Sequence, residues 1–368
     1  MILLWIGFLL FVLLLLALDL GVLHRKAHIV SMKEALRMSA FWIALGVSFS
    51  IVVYFGYENH WLELGASTDA VDGTINDGQS ATIKYLTGYV VEKSLSVDNI
   101  FVIAMLFAFF AVPAMYQHRV LFWGIIGALG MRAAMIAIGA TLIAQFHWIL
   151  YLFGGFLILT AFKMFFMKSE TSDPNQNIVV KLTRKLFPVA SHYHGEHFFV
   201  RAGSPASHEA EIPGGKEEPD ESVDRTKAGT LMATPLLLAL VMVETTDVIF
   251  AVDSIPAIFA ITADPFLVFT SNVFAVLGLR SLYFALAGMI NTFKYLKPAL
   301  AAVLLLVGIK MLIAGWLRDV LGDYFNFYIL GAVLLILSVG IVASLAGRPP
   351  EKKVGQKERR KTTAEDKV

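Results

Sequence analysis

The chain has no cysteine among its 368 residues, which excludes disulfides, thiolate metal ligation and thiol redox chemistry by its own side chains. Charge is scarce too: Asp, Glu, Lys and Arg make up 16% of residues against 57% hydrophobic, and mean hydropathy is +0.69. No ordinary soluble domain has that balance, so the chain reads as a polytopic membrane protein. A formal net charge of +1 leaves no basic surplus for a nucleic-acid surface. No nucleotide-binding motif appears, so ATP-driven transport by this chain alone is not expected. No group of residues reads as catalytic machinery, and an enzyme is not expected.

What is present is a series of apolar runs of about 20 residues, the length that crosses a bilayer as helix. Nine lie near 2–22, 40–57, 82–112, 119–144, 147–167, 232–261, 266–290, 298–316 and 327–346. The expected fold is all-α, with about nine transmembrane helices. The first run has no basic residue before it and is followed by His24, Arg25, Lys26, His28 and Lys33, so it reads as a retained anchor with its N-terminus outside. The other loops fit that orientation. The 58–80 loop carries Glu58, Glu63, Asp69, Asp72 and Asp77 without Lys or Arg, whereas Arg119, Lys294, Lys297 and the tail from Arg348 through Arg359, Arg360 and Lys361 fall inside. Lys168, Lys181, Arg184 and Lys185 put the entry of the 168–230 loop inside as well.

The two halves of the chain resemble each other. "VDNIFV" at 97–102 aligns with "TDVIFA" at 246–251, "LGMR" at 129–132 with "LGLR" at 277–280, and "LILTAFKM" at 157–164 with "LLLVGIKM" at 304–311. The offsets are 149, 148 and 147 residues. Each copy has three spans, so the second enters from the opposite side, giving a core of two inverted three-helix repeats with a site near the midplane. The expected organisation is 1–80, two N-terminal transmembrane helices and an acidic outer loop; 81–167, the first repeat; 168–230, a cytoplasmic connecting loop; 231–316, the second repeat; 317–346, a last helix; and 347–368, a basic cytoplasmic tail.

Acidic side chains stand inside these apolar runs: Glu92 and Asp98 in one, Glu244, Asp247 and Asp253 in another. A carboxylate at the bilayer centre costs about 3 kcal/mol or more, which points to cation binding or movement. Asp98 and Asp247 are matched by the repeat and should approach each other at its axis. Spans of about 30 residues would be about 45 Å long as helix, against a core of about 30 Å, so strong tilt or a break is expected. Pro256 is the candidate break, freeing the carbonyl of Val252 beside Asp253.

Helical spacing puts Glu244 with Asp247, and Ser94 with Asp98, on shared faces, and Asn99 and Ser254 add neutral oxygens. Such donors suit hard divalent ions such as manganese, magnesium or calcium, whereas zinc or copper would recruit His or Cys, absent from the mid-membrane stretches. The expected metal ligands are Asp98, Asp247, Asp253, Glu92, Glu244, Asn99 and Ser254. Arg132 and Arg280 are the expected ion-pair partners. Pairing alone would leave five acids against two arginines, a formal charge of about −3, enough for one divalent cation and a proton. Desolvation favours the protonated carboxylate and a cation the ionised one, a competition suited to metal/proton exchange. Lys163 and Lys310 lie farther from the midplane and are expected to snorkel. Asp19 reads equally as a ligand on the access path or an interfacial residue. His192, His194 and His197 read as metal-receiving or, more commonly in a polar loop, as solvated or structural.

These residues resemble the TerC (tellurium-resistance C) family, and within it the pH-inducible Alx-like members. The resemblance covers most of the chain, in "LDLGVLHRKAHIVSMKEAL" at 18–36, "EKSLSVDNIFV" at 92–102, "HRVLFWGIIGALGMRA" at 118–133, "FPVASHYHGEHFFVR" at 187–201, "VETTDVIFAVDSIPAIFAIT" at 243–262 and "DPFLVFTSNVFAVLGLRSLYF" at 264–284. It implies a bacterial inner-membrane protein of the lysine-exporter superfamily, with manganese export as its activity and older associations with tellurite resistance and membrane redox state. It also implies that Glu92, Asp98, Asn99, Glu244, Asp247 and Asp253 occupy the family's acidic positions. The resulting expectation is a secondary transporter that exports manganese as cargo rather than holding it as a cofactor, with protons as the coupling partner and Asp98, Asp247 and Asp253 as principal ligands. Glu92 and Glu244 are ligands or proton carriers. The alternative is a membrane scaffold or stress protein aiding membrane-protein assembly or tellurite/redox-stress resistance.

Overall fold

A computed structural model describes residues 2–18, 31–166, 177–204, 210–212, 216–217, 220–224, 226–286 and 295–346. Asp19, His24, Arg25, Lys26, His28, Lys168, Lys294 and the tail from Arg348 lie outside the described residues. In chain order the helices are α1 (Ile2–Leu18), α2 (Met32–Glu58), α3 (Gly78–Phe109), α4 (Ala114–Gln145), α5 (Ile149–Phe166) and α6 (Ile178–Leu186), then α7 (Glu221–Asp224), α8 (Pro235–Phe259), α9 (Pro265–Val276), α10 (Leu279–Leu286), α11 (Leu296–Leu312), α12 (Ala314–Leu321) and α13 (Phe325–Ala346). Between α6 and α8 lie five short strands, β1 (Tyr193–His194), β2 (Phe199–Arg201), β3 (Ala210–Ile212), β4 (Lys216–Glu217) and β5 (Leu231–Ala233).

The chain is an all-α integral membrane protein. Among the described residues α2, α4, α5, α8 and α13 are each long and apolar enough to cross a membrane, and the pair α9–α10 makes a sixth if its 41° bend is one span. The expected nine runs each coincide with a helix, but α1 and α11 have 17 residues and α3 carries Lys84, Glu92, Lys93 and Asp98, so length and composition alone do not make nine spans. Burial is inverted relative to a soluble protein. Leu335 is 65% exposed, whereas Glu92 and Arg132 are 0% and 1% exposed. Apolar surface faces outward where lipid tails would receive it, and polar groups are kept within the bundle.

Helix starts are legible in the local sequence. Asp77, Thr234 and Asp264 cap α3, α8 and α9 through their side chains, and Pro235 and Pro265 take the first turn, where a missing N–H costs nothing. The expected break at Pro256 is not found: α8 runs unbroken through it to Phe259, and α3 is one helix of 32 residues. A proline one turn before a helix end removes little, because few bonds lie beyond it. The chain breaks instead at Gly278, between α9 and α10, where φ is +79°. A side chain there would also strike Trp42 of α2.

Packing follows the pairing that an exchange of halves requires. The helix α3 lies on α9 while α4 lies on α8, and α5 packs along α11. The α5–α11 crossing is close because Gly154 and Gly308 face each other: a Cβ on either would sit 3.1–3.2 Å from the other's carbonyl oxygen.

The 58–80 loop is only partly solvated: Glu58, Glu63 and Asp77 are exposed, but other acids in it turn inward. Asp69 and Asp72 are buried and pair with the buried Lys84 ammonium at 2.9 and 2.8 Å. Asp69 also accepts from Thr262 and from the Ala263 amide, Asn76 accepts from Lys84 at 2.6 Å, and Asp72 accepts from Asn326 at 3.4 Å. This ionic plug ties α3, the α8–α9 turn and the start of α13 together, with cavities of about 250 and 340 Å³ beside it. Lys310 does not snorkel. It is 1% exposed and donates to the carbonyls of Ala260 and Ile261 at 2.8 and 3.3 Å, where α8 ends and its carbonyls lack helical partners. Lys163, by contrast, is exposed as expected. Replacing Lys84 by Met would leave two buried carboxylates facing each other. Lys84→Met is expected to destabilise the protein by about 3–5 kcal/mol, read as a lowered thermal midpoint in detergent, while Asp77→Ala at the exposed cap of α3 should cost only about 1 kcal/mol.

Candidate cation site

The centre of the bundle is organised by Arg132 of α4. The approach of α4 to α8 depends on Gly124 and Gly127: a Cβ on Gly124 would sit 3.2 Å from Val243, and one on Gly127 would collide with the Glu244 carboxylate. At that close crossing Arg132 reaches between helices. Its Nε and NH2 donate to the two oxygens of Asp247 at 3.2 and 3.1 Å, and NH1 donates to Glu92 of α3 in a short contact. NH1 also lies 3.5 Å from Ser254 Oγ and from Asn272 Oδ1 of α9. Asp247 and Ser254 are seven residues apart, two turns along one face, so α8 presents both to the same point.

The satisfaction of these groups is incomplete. Glu92 Oε2, Asn272 Nδ2 and Glu244 Oε2 are buried without a hydrogen-bond partner among the described residues. Glu244 lies one turn before Asp247, with its carboxylate against Gly127 of α4. Glu92, Asp247, Ser254 and Glu244 are thus brought to one region.

The remaining expected ligands are not. Asp98 and Asp247 are not joined by any hydrogen bond; the charge bearing on Asp98 is that of Lys297 at the start of α11. Asp253 accepts from Thr160 of α5 at 3.3 Å, with Lys163 as its charged neighbour. Six residues from Asp247, it points about a third of a turn away from the Asp247–Ser254 face. Asn99 is buried in α3, and Ser94 donates to its own helix at Val90 O, 2.6 Å. Arg280 is buried just past the Gly278 break. Among the described residues no three His, Asp or Glu side chains form a ready-made metal cluster. Residues that the sequence reading passed over are Asn272 and Thr160. An amide inside the 266–290 apolar run is the same energetic anomaly that singled out the acids.

Among the described residues the histidines are not gathered into a metal cluster. His194, buried in β1, places Nε2 at 3.2 Å from Asp220, His192 turns its ring and its amide to the same carboxylate, and His197 is exposed. The strands, with β1–β3–β4 and β2–β5 paired antiparallel, enclose a small core of Ala190, Val200, Ala202, Val223 and Met232. This unit grips the α3–α4 turn through Tyr193 OH on Phe110 O at 2.6 Å and Arg119 on Glu196 at 2.8 Å. The described residues of the connecting loop therefore form a folded unit.

Comparison with known proteins places the architecture. The family described as "Integral membrane protein TerC family" matches residues 77–352. The chain is 44% identical over 315 residues to "Uncharacterized membrane protein STKORF319" of Myxococcus xanthus, covering 86% of this chain and 85% of that one. It is 42% identical over 344 residues to "Putative membrane-bound redox modulator Alx" of Salmonella typhi, covering 92% and 93%. The protein of the same name from Escherichia coli (strain K12) is 43% identical over 312 residues, covering 84% and 86%. No solved structure matches the chain.

The loop unit carries a pH prediction. Burial would raise the Asp220 carboxyl, but bonds from Ser222, the His192 amide and His194 outweigh it and hold the carboxyl below its ordinary range. A depressed folded value means the stabilisation is fully present above about pH 4 and is lost as pH falls through the folded value. Pepsin cleavage within 188–234 is expected to rise as pH falls below about 4. Asp220→Asn should weaken the unit by about 1–3 kcal/mol at neutral pH and flatten that dependence.

Proposed function

The chain is a member of the TerC family of integral membrane proteins, and on that premise we propose that it is a secondary transporter exporting divalent manganese from the cytoplasm. The observation that carries this reading is the convergence of oxygens from α3, α8 and α9 on one buried positive charge, through Glu92, Asp247, Ser254 and Asn272. Carboxylate, hydroxyl and amide oxygens suit a hard divalent ion, with no thiol and no imidazole among them. In this reading Asp98, near Lys297, and Asp253, near Thr160, are separate stations on the path, and Glu244 carries protons or cargo. Protons are the coupling ion, since a carboxylate-lined path exchanges one for the other by competition. The 188–234 unit and the C-terminus face the cytoplasm across the inner membrane, with the Asp69–Lys84 plug and the N-terminus on the opposite side, in keeping with the basic and acidic ends of the bundle. Ion translocation needs no enzymatic step.

A second reading, a membrane scaffold or stress protein, is favoured by the absence of a ready-made three-ligand cluster among the described residues. The name of the Salmonella typhi and Escherichia coli relatives speaks of redox modulation. With no cysteine in the chain, any such effect would run through the ion it moves rather than through its own thiols.

The two readings part on neutralisation of the acids. With Asp98→Asn and Asp247→Asn made singly and together, manganese efflux from loaded cells or vesicles is expected to fall by about tenfold or more for each, the loss of about 1.4 kcal/mol or more. Undiminished efflux in a well-folded double mutant overturns the transport site and leaves the scaffold reading.

A further inference from the structure

We propose that Arg132 is a tethered counter-cation: its guanidinium fills the cargo site while the ion is absent, and the two exclude each other. This rests on the transport reading above and specifies how that site is kept between cargoes.

The geometry makes the exclusion direct. The guanidinium holds both oxygens of Asp247 and one of Glu92, and approaches Ser254 and Asn272, so an ion coordinated by these oxygens needs the volume and the lone pairs it occupies. A pair kept only for structure in a water-poor interior would be expected to satisfy its polar neighbours. Here Glu92 Oε2 and Asn272 Nδ2 are buried with no hydrogen-bond partner, polar capacity that the arginine leaves unused. The displaced guanidinium has a destination. Glu244 lies one turn along α8 from Asp247, against Gly127 on Arg132's own helix, and its Oε2 is also buried without a partner.

Charge decides what can displace it. Glu92, Asp247 and Arg132 together carry a formal charge of about −1, and exchanging the guanidinium for a divalent ion neutralises the two carboxylates. A monovalent ion would bring no more charge than the guanidinium and lacks its forked bonds, so it has nothing with which to compete. The same arginine therefore selects for divalent cargo and protects the empty carboxylates, and because it keeps its proton it does so at any physiological pH.

The test uses purified full-length protein in lipid vesicles and Mn²⁺ alone as the probe. If the Arg132-out state is populated at about one part in ten, Arg132→Ala lowers the apparent Kd for Mn²⁺ about tenfold, and Arg132→Lys by less. Vesicle efflux by Arg132→Ala should show a lowered KM and a lowered kcat, since the tighter ion leaves more slowly. Guanidinium chloride at non-denaturing concentration should compete with Mn²⁺ in Arg132→Ala and return the Kd toward the wild-type value, whereas tetramethylammonium chloride should not. Unchanged or weaker Mn²⁺ affinity in a folded Arg132→Ala, or no effect of guanidinium on it, overturns the inference. Should that variant not fold, Arg132→Lys decides by the same titration, a Kd equal to or above wild type counting against. If Asp247→Asn abolishes binding while the Arg132 variants leave Kd unchanged, only this inference fails. If wild-type protein binds no Mn²⁺, the transport reading fails with it.

Discussion

The bundle depends on one guanidinium held among three helices. Glu92 of α3 and Asp247 of α8 are both paired with Arg132, whose side chain is 1% exposed. Removing one member of such a group leaves an uncompensated buried charge, a loss of about 3–5 kcal/mol. In lipid there is little hydrophobic drive to bring helices together, so close packing of small residues and polar contacts carry the association. The α4–α8 contact has both: Gly124 and Gly127 bring the helices close, and Arg132 then fixes α4 to α8 and to α3 at once.

Elsewhere the same constraint appears at the places where helix must stop. Backbone carbonyls freed inside a membrane protein have no water to turn to. Lys310 donates to Ala260 and Ile261 at the end of α8, and Lys93 donates to Ala275 and Leu277 at 3.0 and 3.3 Å, where α9 gives way to the Gly278 break. An ammonium at a helix C-terminus also meets the negative end of the helix dipole. Lys84 does comparable work for the buried loop carboxylates Asp69 and Asp72. Lys84, Lys93 and Lys310 are thus internal fittings, and the first two account for how α3 tolerates its positive charge.

Much of this was legible in the sequence. Apolar run lengths located the helices, and the energetic cost of acids in lipid singled out Glu92, Glu244 and Asp247, with Arg132 expected as their partner. What sequence could not supply was direction. Asp98 and Asp247 occupy matched positions, yet one answers to Lys297 and the other to Arg132, because the helices around them differ in where they start and bend. Asp253 fails to join Asp247 for a reason the sequence did contain, a six-residue spacing that leaves the shared face. Lys310 was assigned to the surface on depth alone, and only the end of α8 beside it shows why it is inside. The sequence shows Asp69 and Asp72 only as acids of a loop, because their partner Lys84 lies 15 and 12 residues on, inside α3, rather than at helical spacing.

The repeated motif shows how two similar halves come to differ. "LGMR" and "LGLR" place a glycine two residues before each central arginine. Gly130 sits within the unbroken helix α4, whereas Gly278 takes φ +79° and ends α9. Glycine is the residue for which both conformations are accessible without steric cost, so the motif itself holds little preference between them. The choice is made by surroundings: a Cβ at 130 would meet nothing within 4 Å, while Gly278 lies hard against Trp42 of α2, which packs on α10. The N-terminal helix outside the repeat therefore breaks the symmetry, and it does so two residues from an arginine in one half while leaving the matched arginine of the other half on a straight helix, positioned to hold Glu92 and Asp247 together.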